Sequence, residues 1–120
     1  MQVLIVENSV PLGTIWKRSL EKLGVSVALA HEYGDAIGFL QENDVRVILL
    51  NLVLKEGSAF AIADFASYRQ PDAKVVFVTN TTFFSDGSIF EFIPNACAFL
   101  QTATPPDDLA VMVDHYAGIS

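Results

Sequence analysis

The chain has 120 residues, 52% of them hydrophobic and 18% charged, with a formal net charge of −7. This length fits one domain over residues 1–120, and the composition excludes a disordered polymer. The acidic balance and scattered Lys and Arg argue against binding to nucleic acid, and no apolar run approaches the roughly 18 residues needed to span a bilayer.

Gln2 to Val6 reads as a first strand with the apolar run Val3-Leu4-Ile5-Val6, and Glu7 interrupts it too early for a secretory leader. Ser9 then offers a helix N-cap, and Pro11 sits in the first turn, where its missing N–H costs little. Leu12, Trp16, Leu20 and Leu23 recur at spacings of four and three, one face of a helix that Gly24 stops. Trp16 reads as helix core and not as a ligand platform. Val25, Val27 and Leu29 alternate with smaller residues as a second strand. Glu32 to Asn43 reads as a second helix with Ile37 and Leu40 inward, weakened by Gly34 and Gly38. Val45 to Leu50 is a third strand, apolar on both faces apart from Arg46, as a central parallel strand should be.

Ser58 is placed to cap a third helix whose apolar side is Phe60, Ile62, Ala63, Phe65 and Ala66, ending before Pro71. Lys74 to Val78 is a fourth strand. Asp86 to Phe92 reads as a short fourth helix, limited by Gly87 and Pro94. Ala96 to Leu100 is a fifth strand. Pro105-Pro106 opens a fifth helix, with Asp107 and Asp108 in its first turn and Leu109, Val111, Met112 and Tyr116 on its packing side. The one cysteine, Cys97, allows no internal disulfide, which suits a reducing cytoplasm.

Five βα units predict an α/β fold: a doubly wound, five-stranded parallel sheet with helices on both faces. Ligands of such sheets bind where the carboxyl ends of the strands converge. Those ends carry Glu7 and Asn8, Asn51, Thr79 and Gln101. Asn51 is the central one. A carboxamide is uncharged and a poor nucleophile, so it cannot replace a carboxylate that binds metal or accepts phosphate.

In this ordered set the chain resembles, over essentially its full length, the CheY-like receiver domain of bacterial response regulators. The resemblance implies the (βα)5 flavodoxin-like topology with strand order 2-1-3-4-5. The family places two acidic residues after strand one, a phosphoacceptor Asp after strand three, a Thr or Ser after strand four, an aromatic in strand five, then a Lys and a Pro. Glu7 and Asn8, Asn51, Thr79, Phe99, then Gln101 and Thr102 occupy those positions. Pro11 follows the acidic pair as it often does in receivers. Asn95-Ala96 stands where receivers carry Gly-Ala, and Asn is the next-best residue for a left-handed backbone. Lys55 and Ala59 replace a usual Pro and Gly.

The departures from the family pattern are chemically coherent. Receiver chemistry needs a carboxylate nucleophile, Mg²⁺ held mainly by carboxylates and a Lys on the phosphoryl oxygens. Only Glu7 remains of the three carboxylates, and the Lys is Gln101. A buried Lys without acids would be an unpaired charge, and clustered acids without Lys or metal would repel one another. Amides in both places leave a nearly neutral pocket. The set Asn51, Glu7, Asn8, Thr79 and Gln101 therefore reads as a vestigial phosphorylation site. No cofactor is expected, Mg²⁺ included, and Glu7 reads as a carboxylate near a helix N-terminus rather than a metal ligand. Asn80, larger than the usual small residue, is placed to crowd the phosphate space. Phe99, without the hydroxyl of the commoner Tyr, is expected to be fixed in the core.

Phe83, Phe84, Phe90 and Phe92 cluster around the short fourth helix, and receivers commonly bind partners or dimerise through this helix, strand five and helix five. An exposed aromatic patch there is expected to be an interface. The resemblance thus implies a stand-alone, non-enzymatic receiver-like domain of two-component signalling. Its partner would be a histidine kinase, a downstream effector or a second copy, met by contact without aspartyl phosphorylation. Two alternatives stay open: a phosphoacceptor using non-standard residues, and a flavodoxin-like binder of a small ligand. No Walker or Rossmann glycine pattern supports the latter, and His31 and His115, far from the strand ends in sequence, form no catalytic or metal set of clear spacing.

Overall fold

The five apolar runs pair, all parallel, into a single sheet in the order β2-β1-β3-β4-β5. The computed structural model describes residues 2–54, 57–79 and 95–118. The strands are β1 (Gln2–Val6), β2 (Ser26–Ala30), β3 (Val47–Asn51), β4 (Lys74–Thr79) and β5 (Ala96–Gln101). Four helices are present among the described residues: α1 (Val10–Glu21), α2 (Tyr33–Glu42), α3 (Ala59–Arg69) and α4 (Pro106–Gly118). The helix expected over Asp86–Phe92, with Gly87 and Pro94, lies outside the described residues, as do Lys55 and Asn80.

Alternation along each strand divides the core between two faces. Leu4, Val6, Ile48, Leu50, Val75 and Phe77 are buried on one face, against Ala36 and Leu40 of α2 and Ile62, Ala63 and Ala66 of α3. Val3, Ile5, Val47, Leu49, Val76 and Val78 are buried on the other, against Trp16 and Leu20 of α1 and Leu109, Val113 and Ala117 of α4. Each fully buried aliphatic side chain contributes on the order of 1.5–3 kcal/mol, so this double layer is the main source of stability. Trp16 is wholly buried as expected, although its indole N–H has no hydrogen-bond partner among the described residues.

Local signals set the element ends. Ser9 Oγ accepts the Leu12 N–H at 3.4 Å, and Ser58 Oγ accepts the Ala61 N–H at 3.4 Å, so both expected N-caps form. Gly24 takes φ +83° just beyond α1, a conformation that favours glycine. The Gln70 side chain accepts the Val45 N–H at 2.7 Å and donates to Leu40 O at 2.8 Å, tying the entry of β3 to the end of α2. Arg46 is exposed and precedes β3, so the central strand itself is apolar until Asn51.

The pairing of β4 with β5 slips once. Val75 faces Ala96, but Val76 faces Ala98, which leaves Cys97 as the extra residue of a bulge. Cys97 and Ala98 therefore both lie on the α1/α4 side, while Ala96 and Phe99 lie on the α2/α3 side.

Several side chains depart from expectation. Leu23 is 44% exposed because α1 ends at Glu21, before the apolar stripe is complete. On α4 the buried side is Leu109, Ala110, Val113 and Ala117, so Val111 lies nearly opposite it and Met112 at its margin; both are exposed. Phe60, at the start of α3, is also exposed, although its ring stands 5.9 Å from that of Phe77. Asn95 does not take a left-handed backbone, since no described non-glycine residue has positive φ. It uses its side-chain amide instead, donating to Ala63 O at 3.4 Å.

Candidate functional site

In strand order 2-1-3-4 the chain leaves β1 toward β2 and leaves β3 toward β4, in opposite directions along the sheet, so a crevice opens past the carboxyl ends of β1 and β3. Glu7 follows β1 and Asn51 ends β3, so these two residues face each other across the crevice. The Asn51 carboxamide Nδ2 donates to Glu7 Oε1 at 2.5 Å. Asn51 Oδ1 accepts the Val53 N–H at 2.9 Å, an Asx turn that opens the β3–α3 loop. A backbone N–H can only donate, so Oδ1 must face Val53 and the NH₂ must face the carboxylate.

Glu7 is almost completely buried. Its Oε2 accepts the Ser9 N–H at 2.8 Å, at the N-cap of α1, where the helix dipole favours negative charge. Both carboxylate oxygens thus hold an N–H donor, and no Lys or Arg pairs with Glu7 among the described residues. The backbone of Glu7 is held from the other side, because its N–H donates to Ala30 O at 3.0 Å.

His31 belongs to this cluster, contrary to its reading as remote from the strand ends. It follows β2, which pairs with β1, so its ring lies beside the residue after β1. His31 Nδ1 stands 3.0 Å from Glu7 O. A carbonyl accepts only, so Nδ1 carries the proton, and in the neutral ring Nε2 is the acceptor. Asn8 Nδ2 donates to His31 O at 2.5 Å, which ties the β1–α1 loop to the β2–α2 loop. His31 was legible only with the strand order in hand: β2 has a carboxyl end too.

Thr79 is buried at the end of β4, and its carbonyl accepts the Thr102 N–H at 2.9 Å. Gln101 pairs with Thr79 in register and is exposed. Leu52 N–H donates to Val78 O at 2.8 Å, so β3 and β4 remain joined just past Asn51. The structure therefore joins Glu7, Asn8, Asn51 and His31 through one set of hydrogen bonds and places Thr79 and Gln101 on the next two strands. Phe99 is half-buried and stacks on Phe77 with centroids 5.2 Å apart and planes 19° apart. Phe83, Phe84, Phe90 and Phe92 lie outside the described residues.

A cleft of about 340 Å³ opens beside the cluster, lined by Glu7, Asn8, Ser9, Val53 and Leu54. Its donor set fits Mg²⁺ poorly. Mg²⁺ demands hard oxygens in octahedral array, whereas the one carboxylate here already receives two N–H groups. Among the described residues no three His, Cys, Asp or Glu come together as a metal-binding group. No described helix is long and apolar enough to cross a membrane.

No family model matches the chain, and no curated protein matches it. Solved structures do. The chain is similar to a CheY-like response regulator receiver domain protein from Methanospirillum hungatei JF-1, with TM-score 0.86 and 21% identity, covering 97% of this chain and 92% of that one. It is similar to the non-phosphorylated HemR receiver domain from Leptospira biflexa, with TM-score 0.87 and 19% identity over 99% and 95% of the two chains. A response regulator from Thermotoga maritima gives TM-score 0.82 and 22% identity over 97% and 96%. The chain has the five-stranded fold of CheY-like receiver domains over nearly its whole length.

Proposed function

From that fold we propose that the chain is a non-enzymatic receiver-like module of two-component signalling that works by protein–protein contact, without phosphorylation at Asn51. The observation that carries this reading is the hydrogen bond from Asn51 to the buried Glu7 carboxylate. In a phosphoacceptor site the strand-three residue offers a carboxylate to an incoming phosphoryl group. Here that position offers an amide N–H, and the amide is held on both sides, by Glu7 and by Val53. An incoming phosphate would meet the buried Glu7 carboxylate with no Mg²⁺ site of suitable donors to offset the repulsion.

With no phosphoryl group to select a state, the domain either holds one conformation or is shifted by a partner that prefers one. The partner is a histidine kinase, a downstream effector or a second copy of the chain. The exposed Val111 and Met112 support a contact face that includes α4.

The deciding experiment is intact-mass analysis after incubation with acetyl phosphate and Mg²⁺, beside an Asn51→Asp/Gln101→Lys variant. The native chain is expected to gain no phosphoryl adduct. An acid-stable, base-labile adduct on the native chain would overturn the proposal. Saturable Mg²⁺ binding that Glu7→Ala removes would overturn the reading of Glu7.

A further inference from the structure

A shallow depression lies between α2 and α3, lined by Tyr33, Ala61, Asp64, Phe65, Ser67 and Tyr68, none of which lines the cleft beside Glu7. Ala61, Asp64, Phe65 and Tyr68 fall at i, i+3, i+4 and i+7 and so share one face of α3. Tyr33 faces them from the first turn of α2. Phe65 and Tyr33 are half-buried against the core and give the depression a fixed base. The Tyr33 ring is further seated on Gly57, where a Cβ would collide with it. Tyr68 is 87% exposed, so the fold itself makes little use of its ring.

Among the described residues, the charged groups of this depression have one sign. Ser67 spends its hydroxyl on Asp64 O at 2.9 Å, which leaves the exposed Asp64 carboxylate as the charged group of the lining. Glu32 and Asp35, both exposed, flank Tyr33 in the chain. No Lys or Arg lines the depression among the described residues, and the nearby Arg69 guanidinium donates to Gln41 O at 2.9 Å. Three aromatic rings around a carboxylate match one chemistry, a planar cation that stacks on a ring and pairs with the acid.

We propose that this depression is a docking site for an arginine side chain of a partner protein, a second contact surface separate from the crevice at the strand ends. Arginine fits better than lysine because its guanidinium can stack on Tyr68 or Tyr33 while its N–H groups reach Asp64.

The test is an NMR titration of the isotope-labelled full chain with an N-acetylated Gly-Arg-Gly amide, beside Gly-Lys-Gly and Gly-Glu-Gly controls and tetramethylammonium. Saturable shifts confined to Tyr33 and residues 61–68 are expected, strongest for the arginine peptide. Tyr68→Ala and Asp64→Asn, at exposed positions that leave the core intact, are each expected to weaken binding roughly threefold or more. Non-saturating shifts, equal binding of the glutamate peptide, or unchanged binding in the double variant would overturn the proposal. Tighter binding of tetramethylammonium than of the arginine peptide would also overturn it, in favour of a free small cation.

Discussion

Asn51 and Glu7 are bonded directly across the crevice between β1 and β3, the amide donating and the buried carboxylate accepting. The pairing explains why an amide can occupy the reactive position. An aspartate in its place would set two carboxylates against each other in a site with no cation among the described residues. Asn51→Asp is therefore expected to lower stability at neutral pH by about 1–3 kcal/mol. The loss should shrink as pH falls through the carboxylate range, because one proton shared by the pair removes the repulsion. Urea unfolding of both proteins at neutral and acidic pH measures this. An equal loss at both would assign it to shape rather than charge.

Glu7→Gln tests whether the carboxylate is needed as such. Glu7 accepts from Asn51 on one oxygen and from Ser9 on the other. Glutamine has a single oxygen, so one of those N–H groups would face an NH₂. The substitution is nearly isosteric, yet it is expected to destabilise the domain by about 1–2 kcal/mol, the cost of one buried unsatisfied donor. A neutral effect in thermal unfolding would mean that the crevice relaxes enough to admit water.

Much of this arrangement was legible from residues alone. The order of apolar runs and the caps Ser9 and Ser58 mark the elements because burial and orphan backbone groups impose local patterns. Strand ends follow from those runs, which is how Asn51, Glu7 and Thr79 stand out. His31 did not, because its role depends on which strand lies beside β1, a non-local fact that no local pattern encodes. Val111 and Met112 were misplaced because hydrophobicity was read as burial, while the helical register of α4 turns them outward. Asn95 stands at a glycine position of the resemblance, but its side-chain amide ties the start of β5 to Ala63 of α3, a long-range contact that no local pattern encodes.

A glycine pair separates backbone strain from packing. Gly24 and Gly57 both have positive φ, +83° and +74°. A Cβ on Gly24 meets nothing within 4 Å, so Gly24→Ala is expected to cost only the left-handed backbone term, about 1–2 kcal/mol. A Cβ on Gly57 would meet Tyr33 backed by the core, and overpacking adds about 1–3 kcal/mol to the same backbone term. Melting temperatures of the two variants should therefore differ, with Gly57→Ala the lower. Equal shifts would show that Tyr33 moves aside freely, and would weaken its place in the fixed base of the α2/α3 depression.

Cys97 offers a prediction about pH. The bulge between β4 and β5 turns its side chain toward the α1/α4 layer, where its Sγ lies 3.5 Å from Val75 O. Burial disfavours the thiolate and raises the thiol pKa from 9.0 to about 11, with the Lys74 charge and a backbone hydrogen bond opposing the rise. The thiolate is the nucleophile, so labelling by a disulfide reagent near pH 8 should be slower in the folded chain than in urea. The folded state holds the proton more tightly than the unfolded one. Stability from this group is therefore complete below about pH 9 and is lost as pH rises toward 11. Cys97→Ser should remove that alkaline decline from the unfolding midpoint. A decline of the same size in the variant would assign it to other groups, and rapid labelling of the folded chain would show that the bulge opens readily.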